Sequence, residues 1–202
     1  LKKIIFLEHM EEGITYANRT WLEEEEFDYY FKEGKRLQRR FREKIEIGLG
    51  VEVGYNPECV DTLVQRLKQR TWDRVGLSYH FCRLEGSPEH LNLLSSKKSN
   101  ISIFLKNDAA MLLSRYFDTL IEAVQKIPAD VLCHLDAGLR HCPNLTIGQQ
   151  HMKQIDTLLG LVNKSGMMLE INTSGYKNRN EPYPRPDIIS RAVKLGIRVT
   201  AG

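Results

Sequence analysis

Three histidines and one glutamate stand at or just beyond the ends of short apolar runs in this sequence: His9, Glu52, His80 and His134. Imidazole nitrogens and carboxylate oxygens are the usual protein ligands of zinc, iron and manganese. In parallel α/β folds the carboxyl ends of neighbouring strands meet at one edge, so side chains from four strands can converge there. The pattern therefore indicates a metal site. Because a single histidine at a strand end is commonly solvated or hydrogen-bonded, the spacing alone leaves that second interpretation open.

The segments that must position these side chains alternate between two kinds. Short runs rich in β-branched residues predict strands at 3–7, 45–53, 74–79, 130–134, 167–171 and 197–200. Longer stretches with apolar residues three and four apart predict helices at 25–43, 59–69, 109–127, 148–163 and 186–195. This alternation predicts parallel strands covered by helices, which fits both a barrel and an open doubly wound sheet. Residues 85–107, with Gly86, Pro88 and several serines, are predicted to be an exposed loop or insertion.

The composition excludes several classes of protein. With 202 residues, of which 42% are hydrophobic and 27% charged, the chain is predicted to be one globular domain. The formal net charge is only +3 and basic residues are interspersed with acidic ones, so no nucleic-acid partner is expected. No apolar run approaches the roughly 18 residues of a membrane-spanning helix, so no membrane partner is expected.

The cysteines match no zinc-binding spacing and predict buried thiols in a reducing cytoplasm: Cys59, Cys82, Cys133 and Cys142.

Six short sequence motifs carry more information than the spacing of the four candidate ligands. They are FLEH (6–9), GVEV (50–53), GLSYHF (76–81), CHLD (133–136), LEINTSG (169–175) and EPYPRP (181–186). In this order they resemble the polymerase and histidinol phosphatase (PHP) family. The last block, 169–186, resembles the histidinol-phosphatase branch in particular.

The resemblance implies a fold and a ligand set. It implies an α/β fold of the distorted (β/α)7, TIM-like barrel type, with all 202 residues in one PHP-type domain. It implies two or three divalent metal ions, of zinc, manganese or iron. Glu52 would bridge two of them, His80 and His134 would bind one, and His9 would belong to a third position. The family also has a His-x-His pair and a closing Ser-Asp-x-His. We expect both motifs to be missing from this sequence, the first before Leu1 and the second after Gly202.

The implied activity is metal-dependent hydrolysis of a small phosphomonoester, with histidinol phosphate as the first candidate. Glu52 and Asp136 are the predicted catalytic residues. A bridging carboxylate suits Glu52, because its two oxygens can serve two cations. Asp136, two residues after His134, could orient that imidazole or the attacking water. The alternative for Asp136 is an aspartate that caps a loop, and the sequence leaves both open.

An anionic substrate also needs cationic contacts, and four basic residues just after strand ends are the candidates: Lys177, Arg179, Arg140 and Arg185. The remaining histidines fall in predicted loops or helices and are expected to be non-catalytic: His90, His141 and His151. Two alternatives stay open. The same site could act on another small phosphoester, such as a nucleotide or sugar phosphate, because a fold does not fix a substrate. The chain could also be a degenerate PHP module kept as a structural or binding domain.

Overall fold

The structure, a computed structural model, describes residues 2–202. Its strands are β1 (Lys3–Met10), β2 (Glu46–Gly54), β3 (Val75–Ser78), β4 (Phe81–Arg83), β5 (His90–Asn92), β6 (Val131–Leu132), β7 (Met168–Ile171) and β8 (Val199–Ala201). Six of them form one sheet in the order β1-β2-β3-β6-β7-β8, and every neighbouring pair is parallel. A doubly wound sheet reverses its strand order part-way, whereas this order never reverses. The fold is therefore the TIM-like α/β barrel type that the resemblance implies.

The helices alternate with these strands and pack against them. They are α1 (Glu24–Phe41), α2 (Val60–Lys68), α3 (Lys98–Lys106), α4 (Ala109–Lys126), α5 (Gln149–Ser165), α6 (Tyr176–Arg179) and α7 (Pro186–Lys194). The five predicted helices correspond to α1, α2, α4, α5 and α7, with ends that differ by at most two residues. Local chemistry explains these ends: Glu26 accepts the backbone N–H of Glu23 at 2.8 Å before α1, and Gly166, with φ of 75°, ends α5. Within the described chain, every helix is too short or too polar to cross a membrane.

Residues 85–107 depart from the predicted loop. β4 and β5 form an antiparallel hairpin in which Cys82 lies opposite Leu91, and α3 follows this hairpin. Leu91, Leu93 and Phe104 are buried in the core. The prediction of a loop is therefore wrong for β5 and α3. It relied on the polar composition of the segment, in which serines and lysines outnumber these three buried apolar residues. The segment nevertheless remains an addition to the strand-helix alternation between β3 and α4.

Candidate metal centre

Strand register brings the four candidate ligands to the same edge of the sheet. β1 and β2 run side by side with His9 directly opposite Glu52. His80 and His134 lie two residues beyond the ends of β3 and β6, which are themselves paired. Parallel strands of this kind end together, so the side chains that follow them meet. The structure thus brings together all four residues that the sequence singled out.

The carboxylate of Glu52 is the centre of this group. Its Oε1 lies 3.0 Å from Nε2 of His80 and 3.0 Å from Nε2 of His134, and its Oε2 lies 3.4 Å from Nε2 of His9. The Nε2 atoms of His80 and His134 are 3.5 Å apart. Donor atoms of His9, Glu52 and His80 all fall within 4.8 Å of one another. Each carboxylate oxygen therefore faces at least one imidazole nitrogen, which is an arrangement that one or more cations could share.

The electrostatics of this group favour a positive charge. Burial alone would lower the pKa of His80, but hydrogen bonds to Glu11 and Glu52 outweigh it and raise that pKa to about 10. Burial would also raise the pKa of Glu52, but the charges and hydrogen bonds of the surrounding histidines hold it well below the usual range. A divalent metal ion would use the same lone pairs and would compete with these protons. This mixture of nitrogen and oxygen donors fits zinc, iron and manganese.

The backbone at His134 has an unusual conformation. Its φ is 26°, in the positive region that non-glycine residues seldom adopt. The buried carboxylate of Glu170, on β7, accepts the backbone N–H of His134 at 2.7 Å and the side-chain amide of Asn172 at 3.2 Å. Glu170 thus holds the turn that directs the His134 imidazole towards Glu52. Sequence reasoning missed this residue, although a lone glutamate inside the apolar run of β7 was a signal.

Asp136 lies close in sequence to His134 but belongs to a different set of contacts. Its side chain is fully buried and accepts hydrogen bonds from Nη2 of Arg179, at 3.2 and 3.1 Å, and from the backbone N–H of Arg185, at 3.0 Å. Burial raises the pKa of Asp136 despite these two arginines. In the described chain no hydrogen bond joins Asp136 to His134. The carboxylate therefore anchors the segment 179–185, as the loop-capping alternative anticipates, and its catalytic role stays a prediction.

The four basic candidates occupy different surroundings. Arg179 stacks on Tyr183, with its guanidinium carbon 4.0 Å from the ring centre, and also donates to the carbonyl of Pro182. The guanidinium of Arg185 pairs with Asp187 at 2.8 Å, and Lys177 is exposed on α6. Arg140 lines the same cleft as His9 and His80, and its buried Nε lacks a hydrogen-bond partner among residues 2–202. Arg140 is therefore the one candidate of the four that borders the metal centre.

The cleft in front of the metal centre has a volume of about 430 Å³. Besides His9, His80 and Arg140, its walls include aromatic and polar residues that the sequence did not single out: Tyr16, Phe81, Asn92, Ser95, Ser96 and Lys97. Most of these residues come from the hairpin and from the segment that leads into α3. His141, expected to be non-catalytic, also lies on this wall, and burial together with Arg140 lowers its pKa. His90 and His151 instead make structural hydrogen bonds, to Thr15 and Ala110.

A scan against protein-family models matches residues 1–174 to the PHP domain. The chain belongs to the PHP domain family. Among curated proteins, this PHP domain is 24% identical over 207 residues to "Probable histidinol-phosphatase" of Deinococcus radiodurans, covering 100% of the chain and 74% of that protein. It is 23% identical over 188 residues to "Probable histidinol-phosphatase" of Schizosaccharomyces pombe, covering 86% of the chain but 58% of that protein.

Solved structures with the same fold extend over the whole PHP domain. A protein from Listeria monocytogenes matches with a TM-score of 0.85 and 18% identity, covering 100% of the chain and 82% of the other. The histidinol phosphate phosphatase of Lactococcus lactis, solved with zinc, L-histidinol and phosphate, matches with a TM-score of 0.79 and 20% identity, covering 100% and 73%. At these identities the likeness shows the fold, and it confirms the barrel architecture.

Proposed function

We propose that this PHP domain hydrolyses histidinol phosphate to histidinol and phosphate with the help of two or three divalent metal ions. The observation that carries the proposal is the convergence of His9, His80 and His134 on the two oxygens of Glu52, in a cleft that Arg140 also lines. The names of the two curated relatives and the ligands of the Lactococcus lactis structure support this substrate. Zinc, manganese and iron are the candidate ions.

In the proposed mechanism, Glu52 is the shared ligand of the centre. Glu52, His80 and His134 would hold one ion, and Glu52 and His9 would hold a neighbouring one. Bound divalent ions of this kind lower the pKa of a coordinated water and neutralise phosphate oxygens. In the overall hydrolysis, one water supplies the oxygen that joins phosphorus and the proton that the released alkoxide takes up. The burial of Glu52, His80 and His134 strengthens each electrostatic contact by excluding bulk water.

The cleft supplies candidate contacts for the rest of the substrate. Arg140 can donate two parallel hydrogen bonds to a phosphate, and Lys97, whose Nζ lies 5.7 Å from the ring centre of Tyr16, adds a second positive charge. The aromatic rings of Tyr16 and Phe81, with centroids 5.1 Å apart, offer an apolar surface to an imidazole ring. Lys177, Arg179 and Arg185 are assigned a smaller part, because they lie outside this cleft. The four free cysteines agree with the proposed cytoplasmic location.

Phosphate release from a panel of substrates tests the proposal. The panel contains histidinol phosphate, a sugar phosphate and a nucleoside monophosphate, each assayed with zinc and with manganese. We expect histidinol phosphate to have the highest kcat/KM and the Glu52→Gln variant to be the inactive control. A preference for another member of the panel would transfer the proposal to that substrate class. Metal binding without release of phosphate from any member would instead favour a degenerate binding module.

A further inference from the structure

Glu11, the residue after β1, is a buried carboxylate that contacts one of the candidate ligands. It is 3% exposed, and its Oε1 lies 2.7 Å from Nδ1 of His80, which is itself 6% exposed. A carboxylate accepts hydrogen bonds when it is ionised, and the 2.7 Å contact fits an N–H at Nδ1 of His80 that donates to Glu11. None of the sequence words that resemble the PHP family includes Glu11.

This hydrogen bond decides what the other nitrogen of the ring can do. With its proton on Nδ1, a neutral His80 keeps its lone pair on Nε2, the atom that lies 3.0 Å from Glu52. A histidine that binds a metal through one nitrogen commonly donates from the other to a carboxylate, which fixes the tautomer and the ring orientation. We propose that Glu11 is a positioning residue of the metal centre, because its carboxylate holds the His80 imidazole with Nε2 directed at Glu52. This inference rests on the proposed function only in taking His80 as a metal ligand.

Two neighbours hold Glu11 itself in place. Arg66, a buried residue of α2, donates from Nη1 to the main-chain carbonyl of Glu11 at 2.8 Å. On the opposite side, the carboxylate of Glu11 fills the space beside Gly54 at the end of β2, where any added Cβ would overlap it. A side chain at Gly54 must therefore displace this carboxylate. Gly54 offers a way to move the carboxylate without removing it.

The experiment compares Glu11→Leu, Glu11→Gln and Gly54→Ala with the wild-type chain. The matched control is Glu12→Gln, since Glu12 also pairs with Arg66, at 3.0 Å, but has no hydrogen bond to His80 in the described structure. Zinc affinity is measured by competition with a chromophoric chelator, and the absorption spectrum of the cobalt-loaded protein reports the geometry around the metal. Thermal unfolding of the metal-free proteins shows which variants fold.

Glu11→Leu removes the acceptor at nearly constant size, and we expect it to lower zinc affinity by about 10- to 100-fold and to alter the cobalt spectrum. Glu11→Gln keeps an acceptor oxygen, so its zinc affinity should fall less than that of Glu11→Leu. Gly54→Ala should alter the cobalt spectrum with Glu11 intact, whereas Glu12→Gln should retain the wild-type spectrum. A folded Glu11→Leu with wild-type affinity and spectrum overturns the proposal. If that variant does not fold, a wild-type spectrum and affinity for Gly54→Ala overturns it instead.

Phosphate release by the wild-type chain is measured in parallel. If zinc binds as expected but no substrate is hydrolysed, the proposed function fails while the role of Glu11 stands. If the wild-type chain hydrolyses histidinol phosphate but Glu11→Leu leaves both affinity and spectrum unchanged, the proposed function stands and the role of Glu11 fails.

Discussion

Glu52 and Asp136 are buried carboxylates at the same rim of the barrel, but their pKa values are shifted in opposite directions. Glu52 faces three imidazoles that are neutral unless protonated, and its pKa is lowered by them. Asp136 faces the permanently charged guanidinium of Arg179, yet burial still raises its pKa. Asp136 is therefore satisfied from within the protein, whereas the group around Glu52 needs protons or metal ions from outside. Of these two strand-end carboxylates, Glu52 is therefore the one whose partners could exchange a proton for a metal.

The strongest test of this comparison is Glu52→Gln. Glutamine keeps the size of the side chain but removes the charge that two cations would share, so both metal content and turnover should fall. Loss of one preorganised electrostatic group commonly costs about 3 kcal/mol, on the order of a hundredfold in rate, and loss of a metal should cost more. The measurement is kcat together with metal content by elemental analysis. A variant that kept its metals and near-normal turnover would remove Glu52 from the mechanism.

Removal of metal should make stability depend on pH in a defined direction. The pKa of His80 is raised from 6.5 to about 10, so its charge stabilises the metal-free protein fully below pH 6.5. That contribution is lost as the pH rises towards 10, on the order of a few kcal/mol. Zinc-loaded protein should escape this loss, because the metal occupies Nε2 in place of the proton. Chemical denaturation at pH 6.5, 8 and 9.5 measures the free energy of unfolding of the protein in EDTA and of the protein with zinc. The same pH dependence in both samples would contradict the prediction.

Arg140→Ala tests the cleft in front of the candidate metal centre, and Arg140 also lines a second cavity beside Asp136, Arg179 and Arg185. A guanidinium that donates to a phosphate should contribute about 1.5 to 3 kcal/mol, so kcat/KM should fall by roughly 10- to 100-fold in this variant. Arg185→Ala is the matched control, because the Arg185 guanidinium already pairs with Asp187. Steady-state kinetics with histidinol phosphate make the comparison. Equal losses in the two variants would show that the two arginine environments are not distinct.

The smallest effect is expected from Asp136→Asn. Burial disfavours the charged form of Asp136, and an asparagine oxygen can still accept from Arg179 and from the backbone of Arg185. The free energy of unfolding at pH 7 should therefore change by no more than about 1 kcal/mol, with metal content unaffected. Urea denaturation and elemental analysis measure both quantities. Loss of metal from a stably folded Asp136→Asn would place Asp136 back in the catalytic centre.

Much of the barrel and the core of the site could be predicted from the sequence. The alternation of apolar runs and amphipathic stretches is a local signal, and parallel strands place every strand end at one rim. This pattern made His9, Glu52, His80 and His134 candidates, and the resemblance to the PHP family then implied that they are ligands. Glu11 and Glu170 were not predictable in this way. Each acts on a histidine from another strand, and only the three-dimensional register shows which carboxylate reaches which imidazole or backbone N–H.

The cleft wall was missed for a different reason. About half of its residues lie in the segment that leads from β4 to α3, most of which was predicted to be a loop from its polar composition. The others belong to β1 and the loop after it, to His80 and to the loop after β6. The buried residues of that segment, Leu91, Leu93 and Phe104, are too few among the surrounding polar residues to make a sustained helical or strand-like pattern. Their burial depends on contacts with residues that are distant in the sequence. Local sequence patterns therefore predict the candidate metal ligands more readily than the cleft residues that would contact a substrate.

The β4–β5 hairpin and the residues before α3 have an evolutionary consequence. They form one continuous stretch of chain, 81–97, that supplies six of the thirteen residues of the cleft wall and only borders the candidate metal ligands. Recombination could replace that stretch in a single genetic event and so change the substrate selectivity of the enzyme. The candidate metal ligands at the ends of the barrel strands would stay unchanged. A chimera that receives residues 81–97 from a PHP protein with another preference should inherit that preference, so substrate choice and chemistry can diverge at independent rates.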